Sequence, residues 1–175
     1  GCIKLIIMMD PKVIDNFLPK VEHERVVFLL QNVIPWFYND HVVNPEDRLD
    51  PIKYQMVSPI WAWGKFHNEV CLTPELASYF ARALDVRSWV RIKANFSPKN
   101  YKHIEQDLHI DSNFGDYTPV YYANTCNGYT YFKNGKKVES VANRMVIFPR
   151  DTMHSGTTST DSYRQVINFN YYGHD

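Results

Sequence analysis

The sequence predicts an α+β fold that is mainly β, and three observations support this prediction. From Ser88 onward, short segments of alternating or apolar residues follow one another, separated by turn signals such as Asn127-Gly128 and Asn134-Gly135. Aromatic residues make up 15% of the chain, an enrichment that favours β structure. Two amphipathic helices are predicted before residue 88. Many short strands indicate a sandwich or a barrel, so we expect a β-rich core with helices packed on it.

Length and composition favour one ordinary globular domain. A chain of 175 residues can bury a single core, and we expect one domain over residues 1–175. Lys+Arg and Asp+Glu number 19 each, so the sequence shows no electrostatic signal for nucleic acid or an anionic membrane. The apolar run Ile3–Met9 is too short to span a bilayer and has no signal-peptide cleavage pattern. Cys2, Cys71 and Cys126 form no paired motif, and we expect free thiols in a cytoplasmic protein.

Two helices are predicted in the N-terminal part, residues 1–87, which we interpret as support for the second half. The first covers Val21–Val33, where apolar residues fall on one face, and Pro35 ends it. The second begins at Thr73-Pro74-Glu75, with Thr73 as the N-cap, and ends near Leu84. Both helices need an apolar surface to cover.

The remaining N-terminal segments are shorter. Lys4–Phe17 is predicted to form a strand, a turn and a second short piece, and Asn39–Pro51 a loop. Tyr54–Trp63 is rich in aromatic and β-branched residues and predicts one or two strands. Trp61 and Trp63 alternate, which would place both on one face, either in the core or along a substrate groove.

Residues 88–175 are predicted to be the core of the fold. Asn127-Gly128 predicts a hairpin between two of its strands, and Asn134-Gly135 marks a second turn. A further short segment, Leu108–Asp111, carries the first candidate site residues. The predicted strands are Trp89–Phe96, Val120–Asn124, Tyr129–Phe132, Val138–Val141, Met145–Phe148 and Arg164–Tyr172.

Two histidines and an aspartate form a candidate metal site. If Leu108–Asp111 is a strand, His109 and Asp111 point to the same side and Ile110 packs on the other. His154 follows a predicted strand and a loop, at the start of a returning strand. Two imidazoles and one carboxylate are the facial triad of non-haem Fe(II) oxygenases, although the same ligands also suit Zn, Ni or Mn. Taken alone, His109-Ile110-Asp111 is a pattern that often arises by chance in a chain with seven histidines, and His154 alone would be interpreted as a loop histidine without a ligand role.

Arg164 begins the last predicted strand, ten residues after His154. If its side chain points inward, it is a buried cation and needs a partner. No acid on the neighbouring strands is an obvious choice, whereas the carboxylate of a second ligand would satisfy the guanidinium with bidentate geometry. The alternative is a surface arginine.

The order His109, Asp111, His154, Arg164 resembles that of the Fe(II)- and 2-oxoglutarate-dependent dioxygenases, and within them the prolyl-4-hydroxylase group. The resemblance implies a double-stranded β-helix, the jelly-roll or cupin-like core, at 88–175, with the N-terminal helices packed on its major sheet. The sequence departs from the group at Phe96, where a tyrosine is frequent, and before Tyr129, where a double glycine is frequent. The flanking segments that also match are Asp15–Leu18, Tyr121–Asn124, Gly128–Phe132 and Asn143–Pro149.

The resemblance implies the chemistry of a hydroxylase. Fe(II) would be held by His109, Asp111 and His154, and the distal carboxylate of 2-oxoglutarate by Arg164 and Tyr122. With O2, the enzyme would hydroxylate an unactivated C–H bond and release succinate and CO2, with ascorbate as a supporting reductant.

The sequence leaves the prime substrate and the oligomeric state open. Peptidyl proline, a free amino acid and another small molecule all remain candidates. The candidate determinants are the loop Ser112–Tyr117, Trp61, Trp63 and the Asn39–Pro51 loop. Two other functions also remain open: a cupin-like metalloprotein that binds metal through the same triad without 2-oxoglutarate, and a non-catalytic jelly-roll binding module.

Overall fold

A computed structural model of the chain describes residues 10–50, 52–68 and 72–174. The apolar run Ile3–Met9, Cys2 and Cys71 lie outside the described residues. Cys126 is buried and carries a free thiol. Among the described residues, no helix has the length and hydrophobicity needed to cross a lipid bilayer.

The described residues form two antiparallel sheets. The major sheet has the strand order β1-β9-β6-β11-β5-β3-β2, with β4 paired to β3, and the minor sheet has the order β10-β7-β8. The strands are β1 Lys12–Ile14, β2 Phe37–Asn39, β3 Gln55–Ala62, β4 Lys65–Phe66, β5 Val86–Ser97, β6 Tyr117–Tyr122, β7 Tyr129–Phe132, β8 Lys137–Glu139, β9 Arg144–Pro149, β10 His154–Gly156 and β11 Arg164–Gly173.

The central strands of the major sheet have buried side chains on both faces, since successive residues point to opposite sides. One face packs against the helices α1, Lys20–Asn32, and α2, Thr73–Ala83. Tyr121 and Ile167 belong to this helix-side core. Their neighbours Tyr122 and Val166 point the opposite way and pack towards the minor sheet. The predicted α+β architecture with a mainly β core is therefore confirmed, and so is the packing of the helices on the major sheet.

The two predicted helices are present, with one correction at a helix start. Leu72, not Thr73, is the N-cap of α2, with a left-handed backbone at φ 58°. Thr73 is already helical and fully buried, and its hydroxyl donates to the carbonyl of His67 at 3.1 Å. An N-cap residue lies outside the helix with non-helical backbone angles, whereas Thr73 is already the first helical residue, which explains the shift by one residue.

The predicted hairpin at Asn127-Gly128 is wrong. The strands on either side of it, β6 and β7, belong to different sheets: β6 pairs with β9 and β11, while β7 pairs with β8 and β10. The chain crosses between the sheets here. The second signal, Asn134-Gly135, does form the turn between β7 and β8, with Gly135 at φ 86°.

Trp61 and Trp63 do not share a face. Trp61 lies in β3 and packs edge-on against Phe66, with ring centroids 4.7 Å apart. Trp63 lies beyond the end of β3, in the turn before β4, where its φ of 55° breaks the alternation. Its side chain is 92% exposed. Of the predicted Asn39–Pro51 loop, Asn39 is the last residue of β2 and Pro51 lies outside the described residues; residues 40–50 form a loop as predicted, apart from one 3₁₀ helix at Pro45–Leu49.

Candidate active site

The segment that carries His109 and Asp111 is extended but does not form a strand. It touches the minor sheet through a single bridge, in which His109 and His154 exchange backbone hydrogen bonds of 2.9 and 3.1 Å. The prediction of a strand at Leu108–Asp111 is therefore wrong, and Ile110 is 39% exposed rather than packed. The prediction that the His109 and Asp111 side chains lie together is confirmed, since Nε2 of His109 lies 2.9 Å from Oδ1 of Asp111. His154 begins β10, as predicted.

Both imidazoles are oriented by backbone carbonyls. Nδ1 of His109 lies 3.0 Å from the carbonyl oxygen of Asp107, and Nδ1 of His154 lies 2.9 Å from that of Thr152. A carbonyl oxygen only accepts, so each Nδ1 carries the hydrogen and each neutral ring keeps the lone pair on Nε2. One potential ligand atom from each of His109, Asp111 and His154 lies within 4.8 Å of the others. Such outer hydrogen bonds hold histidine ligands in place around metals.

Asp111 is a buried anion with an unsatisfied oxygen. Its side chain is 4% exposed, and its Oδ2 has no hydrogen-bond partner among the described residues. Burial would raise the pKa of Asp111, but when the two imidazoles are also protonated on Nε2 they donate to the carboxylate and hold its pKa well below its usual value. Two Nε2 lone pairs and a carboxylate at one point repel each other unless a cation lies between them. This donor set therefore fits a divalent metal ion, and two imidazoles with one carboxylate suit Fe(II).

Arg164 points inward at the start of β11 and is only 7% exposed. Its Nε donates to Oγ of Ser140 at 3.0 Å, and its Nη2 donates to Oγ1 of Thr130 at 3.2 Å. Within residues 10–50, 52–68 and 72–174, no carboxylate lies within 4.0 Å of its guanidinium, and burial lowers its pKa. The guanidinium is thus a buried cation with two neutral partners, which leaves it able to bind an anion.

Two glycines make room for this guanidinium. A Cβ on Gly128 would lie 2.7 Å from Cδ of Arg164, and a Cβ on Gly156 would lie 2.9 Å from its Nη1. Both distances are shorter than van der Waals contact, so any side chain there would displace Arg164. Gly128, which was predicted to form a hairpin turn, is needed instead because the Arg164 side chain passes close to its backbone.

Tyr122 lies beside Arg164 but does not line the cavity. Its ring lies under the guanidinium, 5.6 Å from ring centroid to Cζ, and its side chain is fully buried. Its hydroxyl donates to Oγ1 of Thr130 at 2.7 Å, and Thr130 faces the cavity. A role for Tyr122 in co-substrate binding stays a prediction, and in this structure its connection to the site runs through Thr130.

One cavity of about 400 Å³ contains both the candidate metal triad and Arg164. Alternate residues of β5 line its wall, and sequence analysis missed two of them, Arg91 and Lys93. Their alternation with apolar residues was visible, but it indicated only a half-buried strand. Of the predicted substrate determinants, the Asn39–Pro51 loop supplies Val42 and Val43 to the lining. The Ser112–Tyr117 loop and the two tryptophans do not line it.

Asn95 and Phe96 lie on opposite faces of β5, as their alternation predicts. Asn95 lines the cavity, and its Oδ1 is buried without a hydrogen-bond partner among the described residues. Phe96 packs on the other side against Trp36 and Tyr163, with centroid distances of 5.8 and 5.7 Å. Phe96 therefore does not line the cavity.

Comparisons by sequence find nothing: no family of proteins matches this chain, and no curated protein does. Comparisons by structure find similar folds. An oxidoreductase of the 2OG-Fe(II) oxygenase family from Burkholderia pseudomallei is similar over 94% of this chain and 86% of its own, with a TM-score of 0.63 and 12% identity. A prolyl hydroxylase from Trichoplax adhaerens, in complex with a hypoxia inducible factor peptide fragment, is similar over 92% of this chain and 82% of its own, with a TM-score of 0.60 and 16% identity.

A prolyl-4-hydroxylase from Pseudomonas putida is similar over 94% of this chain and 93% of its own, with a TM-score of 0.53 and 12% identity. At these identities the likeness shows the fold. The chain has the double-stranded β-helix fold of the 2-oxoglutarate and Fe(II) oxygenases, prolyl hydroxylases among them. The predicted jelly-roll core and the predicted resemblance in fold are thereby confirmed.

Proposed function

We propose that this protein is an Fe(II)- and 2-oxoglutarate-dependent dioxygenase that hydroxylates an unactivated C–H bond. The observation that carries the proposal is the content of one cavity. It holds two oriented imidazoles, a buried carboxylate with an unsatisfied oxygen, and a buried arginine without an acidic partner. A cation and a separate carboxylate ligand would together satisfy all of these groups. We further propose that residues 88–175 form the metal-binding core of a single oxygenase domain over residues 1–175, supported by residues 1–87.

The residues that would bind the metal and the residues that would bind the co-substrate lie at two ends of the cavity. His109, Asp111 and His154 would hold Fe(II), and Arg164 would bind the distal carboxylate of 2-oxoglutarate, with Tyr122 behind it. Bound iron supplies the O2 chemistry, in which one oxygen atom enters the substrate as hydroxyl and the other enters succinate as CO2 leaves. The protein fixes the ligand atoms, orients the co-substrate and limits the access of water. Ascorbate would serve as a supporting reductant.

The prime substrate is proposed only as a class, a peptidyl or small-molecule compound. The Trichoplax prolyl hydroxylase was solved with a peptide fragment, which makes a peptidyl substrate one candidate for a protein of this fold. A cavity of about 400 Å³ is small among ligand pockets, which range over roughly 300–1,000 Å³. After the co-substrate binds, there is room for one side chain or one small molecule.

Two alternative functions are less well supported. A cupin-like metalloprotein would use the triad but would have no need for Arg164. A non-catalytic binding module would need neither the metal triad nor Arg164. The burial of Arg164 beside two glycines favours the oxygenase, because a cation held in this way without an acidic partner destabilises the fold unless it serves a ligand.

The direct test is uncoupled turnover. Protein purified without O2 is mixed with Fe(II), ascorbate and 2-oxoglutarate, air is admitted, and succinate is measured for wild type beside Asp111→Ala. Succinate from the wild type alone supports the proposal. Some oxygenases idle without substrate, so the same samples are tested for 2-oxoglutarate binding before air is admitted. Failure of the metal-loaded wild type to bind 2-oxoglutarate would refute the oxygenase assignment.

A further inference from the structure

Two cations in the cavity have no role in the reaction described so far. We propose that Arg91 and Lys93 bind an oxyanion of the prime substrate, so that the substrate is an acid, with a carboxylate or a phosphate near the carbon that is hydroxylated. This inference rests on the proposed function and narrows its substrate class. It follows from the position, the missing partners and the charge of these two side chains.

The position of the pair is set by the register between β5 and β11. Lys93 lies opposite Asn168, whereas Arg164 lies opposite Ser97. Four residues along a strand correspond to about 13 Å, so Lys93 and Arg164 belong to different ends of the cavity. Arg91 is tied to the metal end, because its Nη1 donates to the backbone carbonyl of Asp111 at 3.1 Å. The pair therefore lies towards the metal end of the cavity, away from the arginine that would hold the co-substrate.

Both cations lack an acidic partner. Within the part of the chain that the structure describes, no carboxylate oxygen lies within 4.0 Å of Arg91 or Lys93, and Lys93 makes no side-chain hydrogen bond. Burial, followed by repulsion from Arg91, lowers the pKa of Lys93 to about 8, so the amine still carries its charge at neutral pH. Both side chains are partly buried, and a partly buried cation is stabilised by a counter-ion.

The expected metal and co-substrate do not supply that counter-ion. The two negative charges of 2-oxoglutarate are matched by Arg164 and by a divalent ion whose charge Asp111 has reduced by one. Asp111 is the one acidic side chain among the described residues that line the cavity. Arg91 and Lys93 thus remain unmatched after both have bound. An anionic substrate would neutralise them, and the fork of an arginine beside a lysine suits a carboxylate or a phosphate.

Asn95 gives a second, independent indication that a ligand binds here. It follows Lys93 on the cavity face of β5 and is 9% exposed, and its Oδ1 has no partner among the described residues. A buried amide oxygen of this kind needs a donor. The cavity wall therefore offers a substrate two cations and, next to them, one acceptor for a hydroxyl or amide hydrogen.

The test uses Lys93→Met, which keeps the length of the side chain and removes the charge. Lys65→Met is the matched control, since Lys65 is exposed on β4, away from the cavity. Arg91 is left unchanged in the main experiment, because it also supports the Asp111 backbone. All proteins are loaded with Mn(II) in place of Fe(II) and kept free of O2, and the affinity for 2-oxoglutarate is measured first by calorimetry. We expect it to be unchanged in both variants.

With 2-oxoglutarate bound, the proteins are titrated with four pools of ligands. The first pool contains N-acetyl amino acids as free carboxylates, and the second contains the same compounds with every carboxyl amidated. The third contains N-acetyl-O-phosphoserine amide, and the fourth its parent N-acetylserine amide. We expect a free-acid or a phosphate pool to bind wild type and Lys65→Met better than its neutral counterpart. Lys93→Met should bind that pool about tenfold to a hundredfold more weakly.

Each outcome has a defined meaning. A preference for carboxylates or for phosphates that depends on Lys93 supports the proposal and identifies the oxyanion. Equal binding of charged and neutral pools, binding of no pool, or a preference that survives Lys93→Met overturns it. Loss of 2-oxoglutarate affinity in Lys93→Met also overturns it, because Lys93 would then hold the co-substrate. Failure of wild type to bind 2-oxoglutarate is a different result, since it refutes the proposed function itself.

Discussion

Replacing Arg164 by methionine should separate co-substrate binding from metal binding. Arg164 is 7% exposed, so its bond to a carboxylate would be shielded from water. Removing one member of a buried, hydrogen-bonded charge pair costs about 2–5 kcal/mol, which corresponds to a loss of about 30-fold to 4,000-fold in 2-oxoglutarate affinity. Metal affinity should stay the same, because Arg164 contacts none of the three proposed ligands through a hydrogen bond.

The effect on the free protein can also be worked out. Arg164→Met removes a desolvation penalty of several kcal/mol, but it also loses the hydrogen bonds to Ser140 and Thr130, about 1.5–3 kcal/mol each. These contributions oppose each other, so the free energy of unfolding should change by less than about 2 kcal/mol. That corresponds to a shift of the melting temperature of about 8 °C or less in a chain of this size.

The assay is calorimetric titration of 2-oxoglutarate into Mn(II)-loaded protein without O2. The matched control is Arg82→Met, since Arg82 is exposed on α2 and pairs with Glu22. Unchanged 2-oxoglutarate affinity in Arg164→Met would refute the assignment of this residue and favour a cupin-like metalloprotein. Loss of metal binding together with 2-oxoglutarate binding would show that the two ends of the cavity are not independent.

Three further predictions test the packing around the site. Gly128→Ala should weaken 2-oxoglutarate binding by about tenfold or more with unchanged metal affinity in calorimetry, because its Cβ would lie 2.7 Å from Cδ of Arg164. Asn143→Ala should lower the free energy of unfolding in urea by about 3 kcal/mol, since it removes three buried hydrogen bonds, two with the backbone of Leu18 before α1 and one from the hydroxyl of Tyr121 in β6. The Arg25 guanidinium lowers the pKa of Glu75 from 4.5 to about 2, so this carboxylate stabilises the protein above pH 4.5 and ceases to do so as the pH falls towards 2. Urea unfolding should show about 1 kcal/mol of pH-dependent stability in this range that Glu75→Gln lacks.

The sequence predicted the parts of this protein that depend on local patterns. The bounds of α1 and α2 follow from apolar residues at helical spacing, and the structure places them within one or two residues of the prediction. His154 and Arg164 lie at the starts of β10 and β11, as predicted, because a strand start is marked by the loop before it. The proximity of His109 to Asp111 was predicted correctly from a wrong premise. It needs only a locally extended chain, which one bridge to His154 provides without a strand.

The sequence could not predict features that depend on distant contacts. A glycine after an asparagine is a strong turn signal, yet Gly128 is explained by the Arg164 side chain that passes over it. Trp63 fits the alternation of a strand, yet the strand has already ended in a left-handed turn. In both cases the local sequence pattern is compatible with more than one backbone conformation. Contacts with residues distant in the sequence determine which conformation forms.

The polar face of β5 shows how such a pattern should be interpreted once the fold is known. Polar residues that alternate with apolar neighbours are typical of a strand with one face in water. In β5 these polar residues are Arg91, Lys93 and Asn95. In this fold β5 lies inside the major sheet, between β11 and β3, and its apolar face is covered by the helices. The polar face therefore points into the cavity. Polar residues kept on an inward face reduce stability unless a ligand pairs with them, so their presence on β5 is itself evidence for what the cavity binds.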